Sequence, residues 1–175
     1  MLEKMGNHAE AYPKGSIESL ARFTENQRFW MREALTEANY AIEHDDVPVG
    51  AVVVFSGNII GRGHNRREVD HNPSAHAEII ALAEAGKRMG GWRLTGAEMY
   101  VTMEPCPMCA FALVLARLSL LVYGIDDPRM GACGSFLNLA QFPGFGHNVS
   151  IRSGLYAAES EVLVQSFFTE KRSRT

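Results

Sequence analysis

Two short segments that lie thirty residues apart constrain this chain more than any other feature of its sequence. One segment contains His76 and Glu78, and the other contains Cys106 and Cys109 in the order Pro-Cys-Pro-Met-Cys. Two cysteines three positions apart place their sulfurs on one face of a helical turn. A helix N-terminus favours thiolates, which bind zinc together with a neutral imidazole. We therefore expect a fold in which His76, Cys106 and Cys109 hold one zinc ion.

Three protein ligands leave the fourth tetrahedral position to water, as in catalytic zinc sites. Glu78 is not expected to be a ligand, because it lies two residues from His76 and about 200° around a helix from it. Both side chains reach the same ion only where that ion lies over the N-terminal end of the helix. Glu78 then takes a proton from the zinc-activated water and passes it to the substrate, which makes it the predicted catalytic acid and base.

The cysteine pair alone leaves other functions open. A Cys-x-x-Cys motif is also typical of redox proteins and of structural zinc modules. A structural site requires a fourth ligand, for which Cys133 is the remaining cysteine, and it gives Glu78 no role. A redox motif does not account for His76 or for Pro105. The combination of His-x-Glu with Pro-Cys-x-x-Cys is the pattern of zinc-dependent nucleobase deaminases.

Regular patterns along the chain predict an α/β fold. Thr24 and Gln27 have the spacing of a capping box, and apolar positions then recur at helical intervals to about His44. The other predicted elements are a hairpin of strands 50–55 and 59–60, a polar loop over 62–73, helices 74–89, 107–118 and 157–171, and strands 98–103, 120–123 and near 149. A helix, a hairpin and strand–helix units in this order predict one sheet covered by helices.

Three details of these elements concern the two motif segments. Ser74 is the expected N-cap of the helix that contains His76. Pro107 suits the first turn of the helix that contains Cys109. Residues 111–118 are apolar on nearly every side, so we expect that part of the helix to be buried.

Length, composition and charge narrow the class of protein. The 175 residues suffice for one domain, and residues 1–23 are polar and aperiodic, which predicts a flexible N-terminal extension before a zinc-dependent domain over 24–175. Neither a signal segment nor a run of about 18 apolar residues occurs, so we expect a soluble cytoplasmic protein with no membrane contact. The net charge of -3 counts against indiscriminate nucleic-acid binding but is compatible with a local basic face.

The chain resembles the bacterial tRNA-specific adenosine deaminases over roughly residues 27–172. The matching segments are Val47–Ala51, Asn65-Arg66, the His-Ala-Glu motif, Tyr100–Ala110, Gly131–Ser135, Pro143-Gly144 with His147, and Ser166–Phe168. Two features depart from the family. Phe111 stands where the family commonly has glycine, and Thr169-Glu170 replaces positions that are often more basic.

This resemblance implies a single-domain, three-layer fold of the cytidine deaminase type, with a central mixed sheet of about five strands covered by helices. It implies hydrolytic deamination of adenosine to inosine at the wobble position of a tRNA anticodon, by a homodimer with one zinc per subunit. Asn65 would bind the flipped base or its ribose, and Ala77 would offer its backbone to the substrate. Asp127 would lie in the loop that contacts the anticodon stem-loop, and Phe168 would line the nucleic-acid side.

Several assignments have alternatives. Asn65 also suits a turn, and so does Asp127 because it precedes Pro128. Phe167 and Phe168 cannot both face the core from one helix. A free-base or nucleoside deaminase that acts on guanine, cytosine or cytidine uses the same zinc chemistry, and the acidic balance of the chain favours that substrate class.

Overall fold

The computed structural model describes residues 20–174, in which a five-stranded sheet is flanked by helices. In chain order the elements are α1 Glu25–Glu43, β1 Gly50–Phe55, β2 Asn58–His64, α2 Ala77–Met89, β3 Glu98–Met103, α3 Pro107–Leu115, β4 Leu120–Ile125, a 3-10 turn Pro143–Phe145, β5 Ser150–Ser153 and α4 Ala157–Ser173. No helix in the described range is long and apolar enough to cross a membrane.

Most of the predicted N-terminal extension, residues 1–19, lies outside the described residues. Phe23 is buried and Leu20 is half-buried, and both pack on the cluster formed by α1 and the sheet. The capping box predicted at the start of α1 is confirmed. Gln27 N donates to Thr24 Oγ1 at 3.2 Å, and Thr24 N donates to Gln27 Oε1 at 3.1 Å. An N-cap of this kind stabilises a helix by about 1 kcal/mol.

The sheet has the strand order β2-β1-β3-β4-β5 and is mixed. β1 is antiparallel to both β2 and β3, whereas β3, β4 and β5 are parallel. Parallel strands need crossover connections, and helix α3 forms the crossover from β3 to β4. Helix α4 follows β5. The chain runs from the carboxyl end of β3 directly into Pro105 and Cys106, so the predicted site lies at this end of the sheet.

Alternating side chains of the strands enter two separate cores. On β1, Ala51 and Val53 pack with α2 and α3, whereas Val52 and Val54 pack with α1. The same alternation on β3 places Val101 on the first side and Tyr100 on the second. Strands that are buried on both faces contain near-continuous apolar runs, such as residues 51–55 in β1 and 99–101 in β3. The predicted three-layer arrangement is confirmed.

Helix α2 lies unusually close to the edge strand β2. A Cβ atom added at Gly61 would come within 2.1 Å of Ala81 O, and one at Gly63 within 2.3 Å of Ala77 O. Only glycine permits this approach, which fixes the N-terminal end of α2 against the sheet. The prediction of a loop from residue 62 was wrong at its start, because β2 continues to His64 in register with β1.

Two predictions about the motif helices were also wrong. Helix α2 begins at Ala77 with His76 as its N-cap, and Ser74 is not the cap. Helix α3 ends at Leu115, and its side chains are not all buried: Phe111 is 38% exposed and Leu115 is 53% exposed. Both lie on the outer side of α3, where Phe111 packs edge-on against Phe145 of the 3-10 turn and Leu115 stays more than half exposed.

Candidate active site

The two motif segments meet at the N-terminal ends of α2 and α3. His76 is the N-cap of α2 and Cys106 is the N-cap of α3, so both lie where backbone amides have no partner within the helix. The peptide before His76 is held by a hydrogen bond from Arg66 N to Ala75 O of 3.0 Å. Pro107 occupies the first turn of α3 and needs no amide partner there.

The side chains of these segments form a compact group. His76 Nδ1 lies 3.6 Å from Cys106 Sγ and 3.6 Å from Cys109 Sγ. The three ligand atoms lie within 4.8 Å of one another, and no other such group of possible metal ligands occurs in residues 20–174. Zinc bonds of about 2.1 Å to nitrogen and 2.3 Å to sulfur, at a tetrahedral angle, place the two ligand atoms about 3.6 Å apart. The residues present therefore fit a zinc ion with three protein ligands.

Glu78 lies in the first turn of α2 beside this group and is 4% exposed. Burial raises the pKa of its carboxyl group, whereas the charge on His76 and a hydrogen bond with Cys109 act in the opposite direction. A carboxyl group whose pKa is raised by burial exchanges protons more readily near neutral pH, as general acid–base catalysis requires.

The thiols compete for one proton. The hydrogen bond with Cys109 lowers the pKa of Cys106 to about 4, and the same bond raises the pKa of Cys109. A hydrogen bond with Cys106 raises the pKa of His76. A metal ion that binds both sulfurs displaces the shared proton, so zinc affinity is expected to fall as the pH falls.

Asn65 and Ala77 flank a backbone contact at the start of α2, in which Arg66 N donates to Ala75 O. Asn65 is buried, its backbone amide donates to Val49 O at 3.0 Å, and its side-chain Oδ1 is buried without a partner. A buried acceptor without a partner costs about 1–3 kcal/mol. That cost favours a bound ligand that donates to Asn65 Oδ1. Ala77 is fully buried and directly follows His76. Their roles as substrate contacts stay predictions.

Asp127 lies in the loop after β4, and its side chain closes a turn. Its Oδ1 accepts hydrogen bonds from Arg129 N at 3.0 Å and from Met130 N at 3.2 Å. Its role as a turn former is therefore visible in the structure. Its contact with an anticodon stays a prediction.

The two neighbouring phenylalanines of α4 point in different directions, as predicted. Phe167 is buried, whereas Phe168 is 39% exposed. Phe168 lines a groove of about 460 Å³ whose other walls are Arg129, Val164, Gln165, Thr169 and Arg172. This groove shares no residue with the His76–Cys106–Cys109 group, and we call it the Phe168 groove. The role of Phe168 in binding substrate stays a prediction.

Glu104 and Arg129 were not predicted from the sequence. Glu104 is 4% exposed at the end of β3, and its carboxylate accepts hydrogen bonds from the loop after β4. The available signal was a charged residue between a buried strand and the Pro-Cys motif. Arg129 gave no signal, because its position in the Phe168 groove depends on how the loop packs.

Cys133 is not part of the cysteine–histidine group. It is 3% exposed, packs in the core below α2 and α3, and lies outside the set of atoms that can share a metal ion. Its thiol pKa is raised by burial, which disfavours the thiolate that zinc needs. The structural-zinc alternative, which needs Cys133 as a fourth ligand, therefore has no support.

Comparisons with known proteins agree with this geometry. The family model of MafB19-like deaminases matches residues 25–172. The tRNA-specific adenosine deaminase of Bacillus subtilis (strain 168) is 46% identical over 145 residues, which are 83% of this chain and 90% of that protein. The chain belongs to the tRNA-specific adenosine deaminase family. It is accordingly a deaminase, and the family resemblance drawn from the sequence is confirmed.

Solved structures of deaminases have the same fold. A structure from a study of A-to-I editing by tRNA:A34 deaminases at the wobble position of transfer RNA superimposes with a TM-score of 0.74 at 42% identity, over 77% of this chain and 98% of that chain. A guanine deaminase from Bacillus subtilis gives a TM-score of 0.55 at 32% identity, over 59% of this chain and 66% of that chain. The cytidine deaminase type of fold expected from the resemblance is confirmed.

Proposed function

We propose that this protein hydrolyses the 6-amino group of adenosine at the wobble position of a tRNA anticodon, which yields inosine and ammonia. The observation that carries the proposal is the group of His76, Cys106 and Cys109 with Glu78 buried beside it, in a chain 42% identical to a wobble-position tRNA deaminase. The net reaction adds one water molecule at C6 and releases one ammonia molecule.

His76, Cys106 and Cys109 hold one zinc ion per subunit in this proposal. The two 3.6 Å separations between His76 Nδ1 and the sulfurs support it, because they equal the spacing of ligands on a tetrahedral zinc. When bound, zinc supplies Lewis acidity that lowers the pKa of water toward about 7.

Glu78 moves the protons. Its carboxylate accepts a proton from the attacking water and delivers it to the purine ring nitrogen next to C6, and a second transfer allows the amino group to leave as ammonia. Its burial excludes bulk water from these transfers. Asn65 accepts a hydrogen bond from the flipped nucleoside through its unpartnered Oδ1, and the Ala77 backbone borders the base.

The Phe168 groove supports a polynucleotide substrate. Arg129 and Arg172 line it with no ion-pair partner among the described residues, and the exposed ring of Phe168 lines the same groove. An aromatic ring flanked by cations suits unstacked bases and the phosphates that join them. We propose that the anticodon stem-loop extends from the zinc site across the Asp127 loop into this groove.

Deamination of a free base or nucleoside is the competing function. The similarity to a guanine deaminase favours it, since the two chains are 32% identical over the matched region. A free base carries no phosphate, however, and gives the two groove arginines no role. Salt dependence therefore separates these two substrate classes.

We propose a homodimer located in the cytoplasm, where tRNA is used. The dimer is supported by exposed apolar side chains around a cavity between α2, the segment that follows it and α3. Trp92 is 60% exposed, Leu115 is 53% exposed, and both border a cavity of about 660 Å³. Phe111, the departure from the family's usual glycine, lies on the same helix and packs edge-on against Phe145 with ring centroids 4.9 Å apart.

The decisive experiment measures inosine by mass spectrometry in an anticodon stem-loop with adenosine at the wobble position. Free guanine, cytosine and cytidine are assayed in parallel, and Glu78→Ala is the inactive control. Inosine in the stem-loop alone, absent with the variant, supports the proposal. Turnover of a free base or nucleoside alone would contradict the tRNA substrate and indicate a nucleobase-salvage enzyme with the same zinc chemistry.

A further inference from the structure

Glu104 lies between the last residue of β3 and the turn over residues 105–109, which we call the metal-ligand turn because it carries the proposed ligands Cys106 and Cys109. The carboxylate of Glu104 is enclosed. Oε2 accepts a hydrogen bond from Asp127 N at 2.9 Å, and Oε1 accepts from Cys133 N at 2.9 Å and from Ser135 N at 3.1 Å. The hydroxyl of Ser135 also donates to Oε2. Four donors from one loop, residues 127–135, thus converge on a single buried side chain.

These bonds are of the strong, charge-assisted kind, because their acceptor is a carboxylate. Among the described residues, Glu104 has no ion pair, so its charge is balanced by amide and hydroxyl dipoles alone. Carboxylates that accept several backbone N–H bonds are held firmly. The same loop is tied to the metal-ligand turn a second time, by Ala132 N donating to Pro105 O at 2.9 Å.

Gly131 allows the loop to approach. A Cβ atom at this position would lie 2.2 Å from Glu104 Oε2, which is far inside van der Waals contact. The loop that closes around the carboxylate also carries Arg129, which lines the Phe168 groove. Glu104 therefore connects the turn that holds Cys106 with the loop that forms one wall of the groove.

We infer that Glu104 is a positioning residue: it holds loop 127–135 against the metal-ligand turn, so that the RNA-binding groove keeps a fixed position relative to the reaction centre. The inference rests on the proposed function for its effect on substrate. A direct catalytic role is excluded by geometry, because both carboxylate oxygens are occupied by the loop. The competing interpretation is a residue that contributes only to the stability of the fold.

The first experiment compares Glu104→Gln with Glu37→Gln in the full-length, zinc-loaded protein. Glutamine keeps the size of the side chain but turns one acceptor into a donor that faces other donors. Glu37 is a matched control, since it is also a buried carboxylate but binds Arg62 and His64 of strand β2 instead of loop 127–135. We expect amide hydrogen exchange in residues 127–135 to increase at least tenfold in Glu104→Gln and to stay unchanged in Glu37→Gln. Equal exchange in both variants would overturn the inference.

The second experiment measures kcat and KM on the anticodon stem-loop. Glu104→Gln is expected to keep one zinc per chain and to raise KM about tenfold with a smaller change in kcat, as loss of a binding contact does. In an Arg129→Ala background the same substitution should raise KM much less, because the misplaced loop no longer has that contact to lose. Additive effects, or loss of zinc without faster loop exchange, would show that Glu104 acts only on the fold or on the metal-ligand turn.

Ser135→Ala keeps the inference testable if Glu104→Gln fails to fold. It removes one donor to the carboxylate and is expected to give the same changes in exchange and KM at reduced size. A wild-type protein that leaves the stem-loop unchanged would overturn the proposed function. The exchange result would then still decide whether Glu104 holds the loop.

Discussion

The metal-ligand turns and the Phe168 groove differ in how the chain fixes them. Cys109 and Glu78 are buried, and they sit in the first turns of helices whose ends are held by the sheet. Arg129, Arg172 and Phe168 are exposed side chains that come from a loop and from the last helix. The first region suits bond-breaking on a nucleobase, and the second suits selection of the molecule that carries the base. The comparison indicates that one set of residues determines the reaction and a different set determines the class of substrate.

Substitutions in the buried region should cost more free energy than substitutions in the exposed groove. Removal of one group from a buried polar cluster leaves its partners unsatisfied, which costs several kcal/mol. An exposed cation contributes about 0–1 kcal/mol and loses most of that in high salt. Substitutions at the turns should therefore abolish zinc binding or kcat, whereas substitutions in the groove should change KM and its salt dependence.

The largest effect is expected for Cys106→Ala. Loss of one of three protein ligands should reduce zinc from one per chain to a small fraction and abolish deamination. The measurement is metal content by mass spectrometry together with inosine formation. Cys133→Ser is the matched control and should keep both zinc and activity. Loss of zinc in Cys133→Ser would restore the structural-zinc interpretation. It would also contradict the assignment of the reaction to the buried residues and of substrate selection to the Phe168 groove.

Glu78→Gln should have the next largest effect. The amide cannot carry the proton, so kcat should fall by about 10²- to 10⁴-fold while zinc content is unchanged. Kinetics on the stem-loop and metal analysis of the same preparation test this. Zinc loss in this variant would mean that Glu78 is a ligand rather than the proton carrier.

Phe168→Ala tests the groove. Base stacking on an aromatic ring contributes about 1–3 kcal/mol, so KM for the stem-loop should rise roughly 5- to 150-fold with kcat nearly unchanged. Phe167→Leu is the control: Phe167 is buried, so its substitution should lower thermal stability and leave KM alone. A change in kcat with unchanged KM would place Phe168 in the chemistry instead.

The smallest effect is expected for Arg172→Gln. Loss of one exposed cation should raise KM roughly two- to fivefold at low salt, and the slope of log KM against log salt should decrease by about 0.7. The control is Arg88→Gln, a surface arginine of α2 paired with Glu84. Equal slopes in the wild type and both variants would show that Arg172 does not contact RNA phosphates and would contradict RNA binding in the Phe168 groove.

Part of the fold was predictable because it depends on neighbouring residues. The capping box of Thr24 and Gln27, the hairpin strand over residues 50–55 and the place of Pro107 in the first turn of α3 all follow from local rules, and the structure confirms them. The N-cap of α2 was misassigned for a physical reason. Asn72 Oδ1 accepts hydrogen bonds from Ser74 N at 2.9 Å and Ser74 Oγ at 2.8 Å, so Ser74 closes an Asx turn and the helix begins later.

Burial of α3 was not predictable from its composition. An apolar side chain is buried only where another element covers it. The sequence near Phe111 and Leu115 does not indicate which element packs against this side of α3. In the described chain Phe145 covers only part of Phe111, and Leu115 stays more than half exposed. The proposed subunit contact accounts for the apolar character of this side of the helix.

The sequence by itself determined the proposed reacting groups, because ligand type, the three-residue cysteine spacing and the two-residue step from His76 to Glu78 are properties of residues close together in the chain. Only the tertiary structure decided that His76 Nδ1 lies 3.6 Å from both sulfurs, that Glu104 binds the loop from Asp127 to Ser135, and that Arg129 shares a groove with Phe168. These pairs are far apart in the chain, and their distances follow from how the sheet packs the elements together, which local patterns do not encode.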